Sequence, residues 1–425
     1  MIIFLVAFVL LLIIGVPISI SIGASAVLGC LSLGYPLVVI GQKMVSGIDS
    51  FLLIAVPLFI LAGNLMNAGK ITEKIFDTAK EAVGWIPGGL AHANVVASVI
   101  FAGMSGSAVA DAGGLGAIEM EAMKKNGYDE EFAGAVTAAS SVIGPIFPPS
   151  IPLIIYGSVA SVSVDKLFMG GVVPGLLMAL LLMVMIFVFA IVRKYERHPF
   201  RLRALIRQFL GSILALITPL IILSGFTLGW FTPTEASSVA VIYSLIIALL
   251  VYRTLDWKSF VKCLKDSAIS SANTLFIIGT STLFTYVMAM EGISGQISDF
   301  VLGISSDARV ILLVINILLL LLGMVMEPGA ILTLMLPVLL PIANQLDLNL
   351  VHFGVMVVLN LMIGQVTPPF GVCLFVISDV NKLKLESLYK SILPFLIPLL
   401  LTLFAVTYFP SLVTFLPELL LGAGT

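Results

Sequence analysis

Ala138-Ala139-Ser140-Ser141-Val142-Ile143-Gly144-Pro145-Ile146-Phe147-Pro148-Pro149-Ser150-Ile151-Pro152 is an apolar segment interrupted by paired prolines. It has a counterpart in Asn360-Leu361-Met362-Ile363-Gly364-Gln365-Val366-Thr367-Pro368-Pro369-Phe370-Gly371, 220 residues on and without a gap. The same spacing extends outward: Gly103, Met104, Gly134 and Pro174 recur as Gly323, Met324, Gly354 and Pro394. The halves otherwise share little identity, so the match lies mainly in residues that bend or interrupt helices. Proline removes a backbone donor and clashes with the preceding turn, which frees carbonyls upstream. Freed carbonyls at the end of a half-helix carry partial negative charge and suit a small hard cation such as Na⁺. The helix that restarts near Ser150 points its N–H groups the other way, toward an anion. A break repeated in both halves of a membrane chain marks an ion and substrate site.

The membrane class follows from composition. Apolar residues make up 60% of the 425 and charged residues 10%, with a mean hydropathy of +1.18. No soluble domain has that balance. Apolar runs at 2–14, 18–34, 50–68, 168–192, 209–225, 235–252, 267–290 and 392–415 approach the length a bilayer crossing needs. The longest strongly polar stretch is 193–208, which leaves no room for a soluble catalytic or nucleotide-binding domain. The start lacks a basic region, and Gly15-Val16-Pro17 is followed by further apolar sequence, so no cleaved signal peptide is expected. Cys30, Cys263 and Cys373 are scattered, as are His92, His198 and His352. They suggest no disulfide framework, metal cluster or nucleophile–base pair, which argues against an intramembrane enzyme.

Taking those runs as crossings, adding the broken segments 131–162 and 350–380, and folding 92–124 and 308–346 as re-entrant hairpins gives each half five crossings. An odd number turns the second half over, so the expected fold is an all-α polytopic membrane protein of two inverted repeats. Repeat one spans 1–200, with scaffold 1–91 and hairpin plus broken helix 92–174. Repeat two spans 201–425, with scaffold 201–307, hairpin plus broken helix 308–394 and a last helix at 395–415. This arrangement puts 18 of the 21 Lys and Arg on one side, leaving only Lys43, Lys166 and Arg309 opposite. Counting each hairpin as one crossing gives 13 to 8, so the positive-inside rule favours hairpins with both termini outside. The amphipathic stretches 202–210 and 257–265 read as helices lying in the interface plane.

The first hairpin tip, Gly103-Met104-Ser105-Gly106-Ser107-Ala108-Val109-Ala110-Asp111-Ala112-Gly113-Gly114, is built of small and hydroxyl residues. It reads as a polar pocket, with close helix–helix packing as the alternative. The second tip is Gly323-Met324-Val325-Met326-Glu327-Pro328-Gly329 and has no serine. Asp111, Glu119, Glu235, Glu291 and Glu327 sit in or beside apolar segments, where ionisable groups are costly and usually functional. Glu235 also suits a helix N-terminus after Pro233. Tyr156, Trp85, Trp230 and Trp257 read as packing or interface anchors.

GMSGSAVADAGG, IGPIFPPSIPLIIYG, LFMGGVVPG, TPTEA and IGQVTPPFG together resemble the large membrane subunit of tripartite ATP-independent periplasmic (TRAP) transporters along essentially the whole chain. The resemblance implies an elevator-type secondary transporter of the ion-transporter superfamily, in the bacterial inner membrane. It would be driven by two or more Na⁺ ions and import an organic acid delivered by a periplasmic substrate-binding protein. A small four-helix membrane subunit would be a separate chain. No nucleic-acid partner and no organic cofactor are implied. Carried over by position, one Na⁺ site falls on Ala102, Gly103, Ser105, Gly144, Phe147 and Pro149. A second falls on Gly323, Met326, Gly364 and Thr367. The substrate would lie near Ser107, Asp111, Ser150 and Thr367. General similarity is greatest to the sialic-acid importers. A stand-alone dicarboxylate carrier, and proton coupling through Asp111 or Glu327, are the competing readings.

Overall fold

A computed structural model describes residues 2–422, apart from 196, 198 and 306, so His198 falls outside the described residues. It is an all-helical polytopic membrane protein, with no strand among those residues. The helices are α1 (Ile2–Ile13), α2 (Ile18–Ser32), α3 (Leu37–Ile48), α4 (Ala55–Ala68), α5 (Ile71–Val83), α6 (Gly89–Ser105), α7 (Ala108–Ala110), α8 (Gly116–Lys125), α9 (Glu130–Ser141), α10 (Ile151–Ala160) and α11 (Val164–Arg193). They continue with α12 (Leu202–Thr227), α13 (Pro233–Ile246), α14 (Trp257–Met290), α15 (Ile293–Ile304), α16 (Ala308–Val325), α17 (Pro328–Gln345), α18 (Leu350–Gly364), α19 (Val372–Asn381), α20 (Leu385–Tyr408) and α21 (Ser411–Leu421). Eight segments are long and apolar enough to cross a membrane, among them α11, α12, α14, α16, α17 and α20.

Local chemistry explains the boundaries. Gly15 (φ +85°) before Pro17 ends α1, and Gly34 (φ +74°) before Pro36 ends α2. Left-handed glycine followed by proline is a helix stop. Expected as crossings over 2–14 and 18–34, these two helices are therefore only 12 and 15 residues long. Thr232 and Glu235 form a reciprocal capping box at the start of α13: the Thr232 N–H donates to Glu235 Oε2 at 2.8 Å, and the Glu235 N–H donates back to Thr232 Oγ1 at 3.4 Å. Asp256 caps α14 through the Ser259 N–H at 3.2 Å.

The two expected interfacial helices are not separate elements. Residues 202–210 are the first turns of the 26-residue α12, and 257–265 those of the 34-residue α14. Neither junction carries a glycine–proline stop, so the helix propagates from the basic turns into the apolar span. The boundaries expected at 174 and 394 fall inside continuous helices, because Pro174 and Pro394 are interior to α11 and α20. The last helix, expected at 395–415, is two: α20 from Leu385 to Tyr408 and, beyond Pro410, α21 from Ser411. Trp85, Trp230 and Trp257 are exposed, whereas Tyr156 is wholly buried and donates to the Leu350 carbonyl at 2.8 Å.

The helix starts keep the sequence spacing: α6 and α16, α9 and α18, α10 and α19, and α11 and α20 begin 219 to 221 residues apart. Matching buried hydrogen bonds staple the central elements. In the first half Asn94 Nδ2 donates to Thr137 Oγ1 at 2.8 Å, and Ser140 Oγ donates to Asn94 Oδ1 at 2.6 Å, tying α6 to α9. In the second, Asn360 Nδ2 donates to Asn316 O and Oδ1 at 2.9 and 2.8 Å, and Asn316 Nδ2 donates to Thr407 Oγ1 at 2.9 Å, tying α16 to α18 and α20. Ser140 and Asn360 are 220 residues apart. The halves interlock, with α10 on α17 and α20 on α9. Around them α14 packs on α2, α3, α4 and α17, while α5 and α12 flank α6.

Asn360→Ala removes two buried bonds and strands part of the Asn316 side chain. It is expected to cost about 1–3 kcal/mol, read as a lower melting temperature in detergent. Gly364→Ala is expected to be similarly damaging, at about 1–3 kcal/mol. Its Cβ would stand 2.6 Å from the Gly323 carbonyl carbon and 2.7 Å from its α-carbon, backbone that cannot step aside. Gly323→Ala, whose nearest contacts are 3.2–3.4 Å, should melt between wild type and Gly364→Ala.

Candidate functional site

The first proline break is buried throughout, whereas at the second Pro369 and Phe370 are exposed. Helix α9 ends at Ser141 and the chain restarts at Ile151; α18 ends at Gly364 and restarts at Val372. Ser150 caps α10: its Oγ accepts from the Leu153 N–H at 3.2 Å and donates to the Pro145 carbonyl. Each break is met by a helix–helix connection of two residues. Gly106 (φ +59°) ends α6, and Ser107 then accepts from the Ala110 N–H at 3.4 Å to start the helix that runs through a wide turn at Asp111–Leu115 into α8. A Cβ on Gly106 would stand 2.6 Å from the Pro149 carbonyl oxygen, so this tip rests directly on the first break. In the second half the Gly371 N–H donates to the Met324 carbonyl at 3.2 Å, and the backbones of Gly323 and Gly364 touch.

Between the two tips and the two breaks is a cavity of about 390 Å³. Four helix beginnings border it, at Ala108, Ile151, Pro328 and Val372. Their aligned dipoles favour an anion there, while capping side chains of Ser107, Ser150 and Glu327 already take one first-turn N–H each at three of the four. Ser105, Ser107, Asn64, Thr274, Glu327 and Gln365 supply polar side chains, and no Lys or Arg lines it. Glu327 is itself a helix cap, accepting from the Ala330 N–H at 3.2 Å.

The residues expected at the first ion site are partly brought together. Ser105 is buried at the end of α6, and its hydroxyl has no hydrogen-bond partner among the described residues. Gly144 lies behind Ser107, and Pro149 under Gly106. Among the described residues no hydrogen bond reaches the carbonyl oxygens of Gly103, Gly144 or Pro149. Ala102 is buried in the last turn of α6. The side of Gly103 that lacks a Cβ is packed against Pro219 of α12, and the Phe147 ring lies against Gly175 of α11. In the second set Gly323 and Gly364 are in contact, and Met326 is buried. The Thr367 hydroxyl donates back to the Ile363 carbonyl at 2.7 Å.

Of the residues expected around the substrate, Ser107 lines the cavity. Asp111, Ser150 and Thr367 are buried and do not border it. Asp111 Oδ2 and both oxygens of the fully buried Glu119 have no hydrogen-bond partner among the described residues. The reading by residue type missed Asn64, Ser270, Thr274 and Gln365. Their signal was present as an amide inside apolar α4 and a Ser270-Ser271-Ala272-Asn273-Thr274 run in mid-α14. Asn64 Nδ2 donates to Ser267 Oγ at 2.8 Å, which joins those two helices at the cavity wall.

Comparison with known proteins agrees with this architecture. The solved structure of the Alcanivorax borkumensis YdaH transporter superposes with a TM-score of 0.59 over 87% of this chain and 88% of that one, at 14% identity. The sialic acid TRAP transporter large permease protein SiaM of Vibrio cholerae is 45% identical, over 90% of each chain. The C4-dicarboxylate TRAP transporter large permease protein DctM of Pseudomonas aeruginosa is 38% identical, over 88% of each. The family model for the DctM component of tripartite ATP-independent periplasmic transporters matches residues 5–412. With its helices broken at both proline pairs and a cavity between them, this chain belongs to the DctM family, the large permeases of TRAP transporters.

Proposed function

We propose that this permease carries an organic acid into the cell together with Na⁺, and that the cavity between the tips is where the acid binds. One observation carries the reading: an anion-favouring cavity, bordered by four helix beginnings, has no cationic side chain and does have Glu327. A carboxylate entering there needs positive charge from elsewhere. Cotransported Na⁺ supplies it, held by the unpartnered Ser105 hydroxyl and the free carbonyls of Gly103, Gly144 and Pro149. A related set at Gly323, Met326, Gly364 and Thr367 would take a second ion. Loading becomes mutual: ions favour the acid, and the acid favours the ions.

In this scheme the hairpins are re-entrant, the halves are inverted, and α6–α11 with α16–α20 move as one body against α1–α5 and α12–α15. Na⁺ and acid together must favour the mobile state over a half-loaded one. The membrane is the bacterial inner membrane with both termini outside. A periplasmic binding protein hands over the cargo, and a small membrane subunit completes the assembly. Sialic acid is the preferred cargo because of the Vibrio cholerae relative; a C4-dicarboxylate is the second reading because of the Pseudomonas one.

Uptake by proteoliposomes containing the complete assembly separates these cargoes. Labelled sialic acid should enter only with an inward Na⁺ gradient and the binding protein present, and replacing Na⁺ by choline at fixed pH should abolish uptake. Persistence in choline would point to protons instead. Ser105→Ala removes the orphan hydroxyl and should raise the half-saturating Na⁺ concentration about tenfold, equivalent to about 1.4 kcal/mol. An unchanged Na⁺ titration counts against the ion site. Asn64→Ala and Thr274→Val should instead raise the KM for the acid several-fold at saturating Na⁺.

A further inference from the structure

A polar cleft and an apolar groove occupy neighbouring turns of the same two helices, away from the central cavity. The groove, of about 670 Å³, runs between α5, α6 and α12. Ala79 and Ala82, Val96 and Val99, and Leu205 and Phe209 form its three walls. Phe147, from the first proline break, reaches into it, and so does Pro219, the residue that packs on Gly103. The cleft, of about 200 Å³, lies about one helical turn further along α5 and before α12, lined by Lys80, Glu81, Gly84, Trp85, Pro199 and Arg201. The register is close: Ala82 borders the groove and Glu81 and Trp85 the cleft, while Leu205 borders the groove and Arg201, four residues earlier, the cleft.

We propose that this pair of features is a binding site for an anionic glycerophospholipid, its phosphate in the cleft and one acyl chain in the groove. Lys80 and Arg201 make no ion pair among the described residues, although Glu81 shares their cleft. Arg203 and Arg207, exposed on the adjoining turns of α12, add to the positive field. Basic groups grouped beside an apolar surface at the membrane boundary recognise anionic headgroups, and the exposed Trp85 marks that boundary. An acyl chain suits the almost wholly apolar lining of the groove, and the basic cleft one turn away suits its headgroup. The bound chain would lie against α6 and Phe147 on one side and α12 on the other. It would thus form part of the seam between the broken-helix body and its neighbours.

The chain has three tryptophans, so Trp230→Phe with Trp257→Phe leaves Trp85 as the reporter. The full chain is placed in phosphatidylcholine bilayers, and Trp85 fluorescence is followed as acyl-brominated phosphatidylglycerol or brominated phosphatidylcholine is added. Brominated phosphatidylglycerol should quench half-maximally at a mole fraction at least about fivefold lower. The preference should vanish in Lys80→Gln/Arg201→Gln, and Val99→Phe, which narrows the groove, should reduce quenching with the preference kept. Equal quenching by both lipids means ordinary annular contact and overturns the proposal. Loss of the preference in the assembly that includes the small membrane subunit assigns the groove to that protein and overturns it equally. Circular dichroism of each variant separates loss of the site from loss of the fold.

Discussion

A peptide backbone interrupted inside an apolar layer must find partners within the protein, because lipid offers none. The rest of this molecule is arranged around that constraint. Each proline pair leaves a stretch of non-helical chain: the first is covered by the backbone of a hairpin tip, Gly106 over Pro149, and the second is anchored beside its exposed Pro369 and Phe370 by Gly323 against Gly364 and by the Gly371 N–H on the Met324 carbonyl. Such approach is open only to residues without a side chain. The breaks in turn place four helix beginnings around one cavity. The polar environment is made of main chain, and a few side chains adjust it.

That economy explains which parts were legible in the sequence. Helix-interrupting residues are read one at a time, so the breaks at Pro148-Pro149 and Pro368-Pro369 could be placed, and the first tip could be bounded to 103–114, within which the chain turns at Gly106-Ser107. Composition gave the membrane class, and basic residues clustered between apolar runs gave an expected side. The family resemblance rested on the same punctuation and holds along the chain. Contacts between distant elements were not legible. Asn64 and Thr274 meet the cavity because α4 packs on α14, and neither helix announces its partner. Ser150 and Thr367 looked like free hydroxyls and are both occupied by carbonyls of their own segment.

Interfacial helices were expected at 202–210 and 257–265, where a basic amphipathic stretch precedes an apolar one. Periodicity reports which face of a helix is apolar, but not whether the helix stops. With no glycine–proline stop at either junction, only the lone Gly211 at the first, the cheaper course was to continue. The buried bonds of Ser140 and Asn360 show the converse. Two different side chains at matching positions perform one task, tying a broken helix to its neighbour, and a comparison by identity passes over them.

Helix α14 has a geometric corollary. At 34 residues it is roughly 51 Å long, against a hydrocarbon slab of about 30 Å. Its counterpart at the 220-residue offset is two rods, α3 and α4, hinged near Asp49-Ser50. A single rod of that length must lean steeply or project several turns into the aqueous phase, whereas a jointed one can lie flat and then dive. The two sides of the molecule therefore differ in stiffness: one brace is a beam, the other an elbow, and any thinning of the bilayer would be taken up first at the elbow.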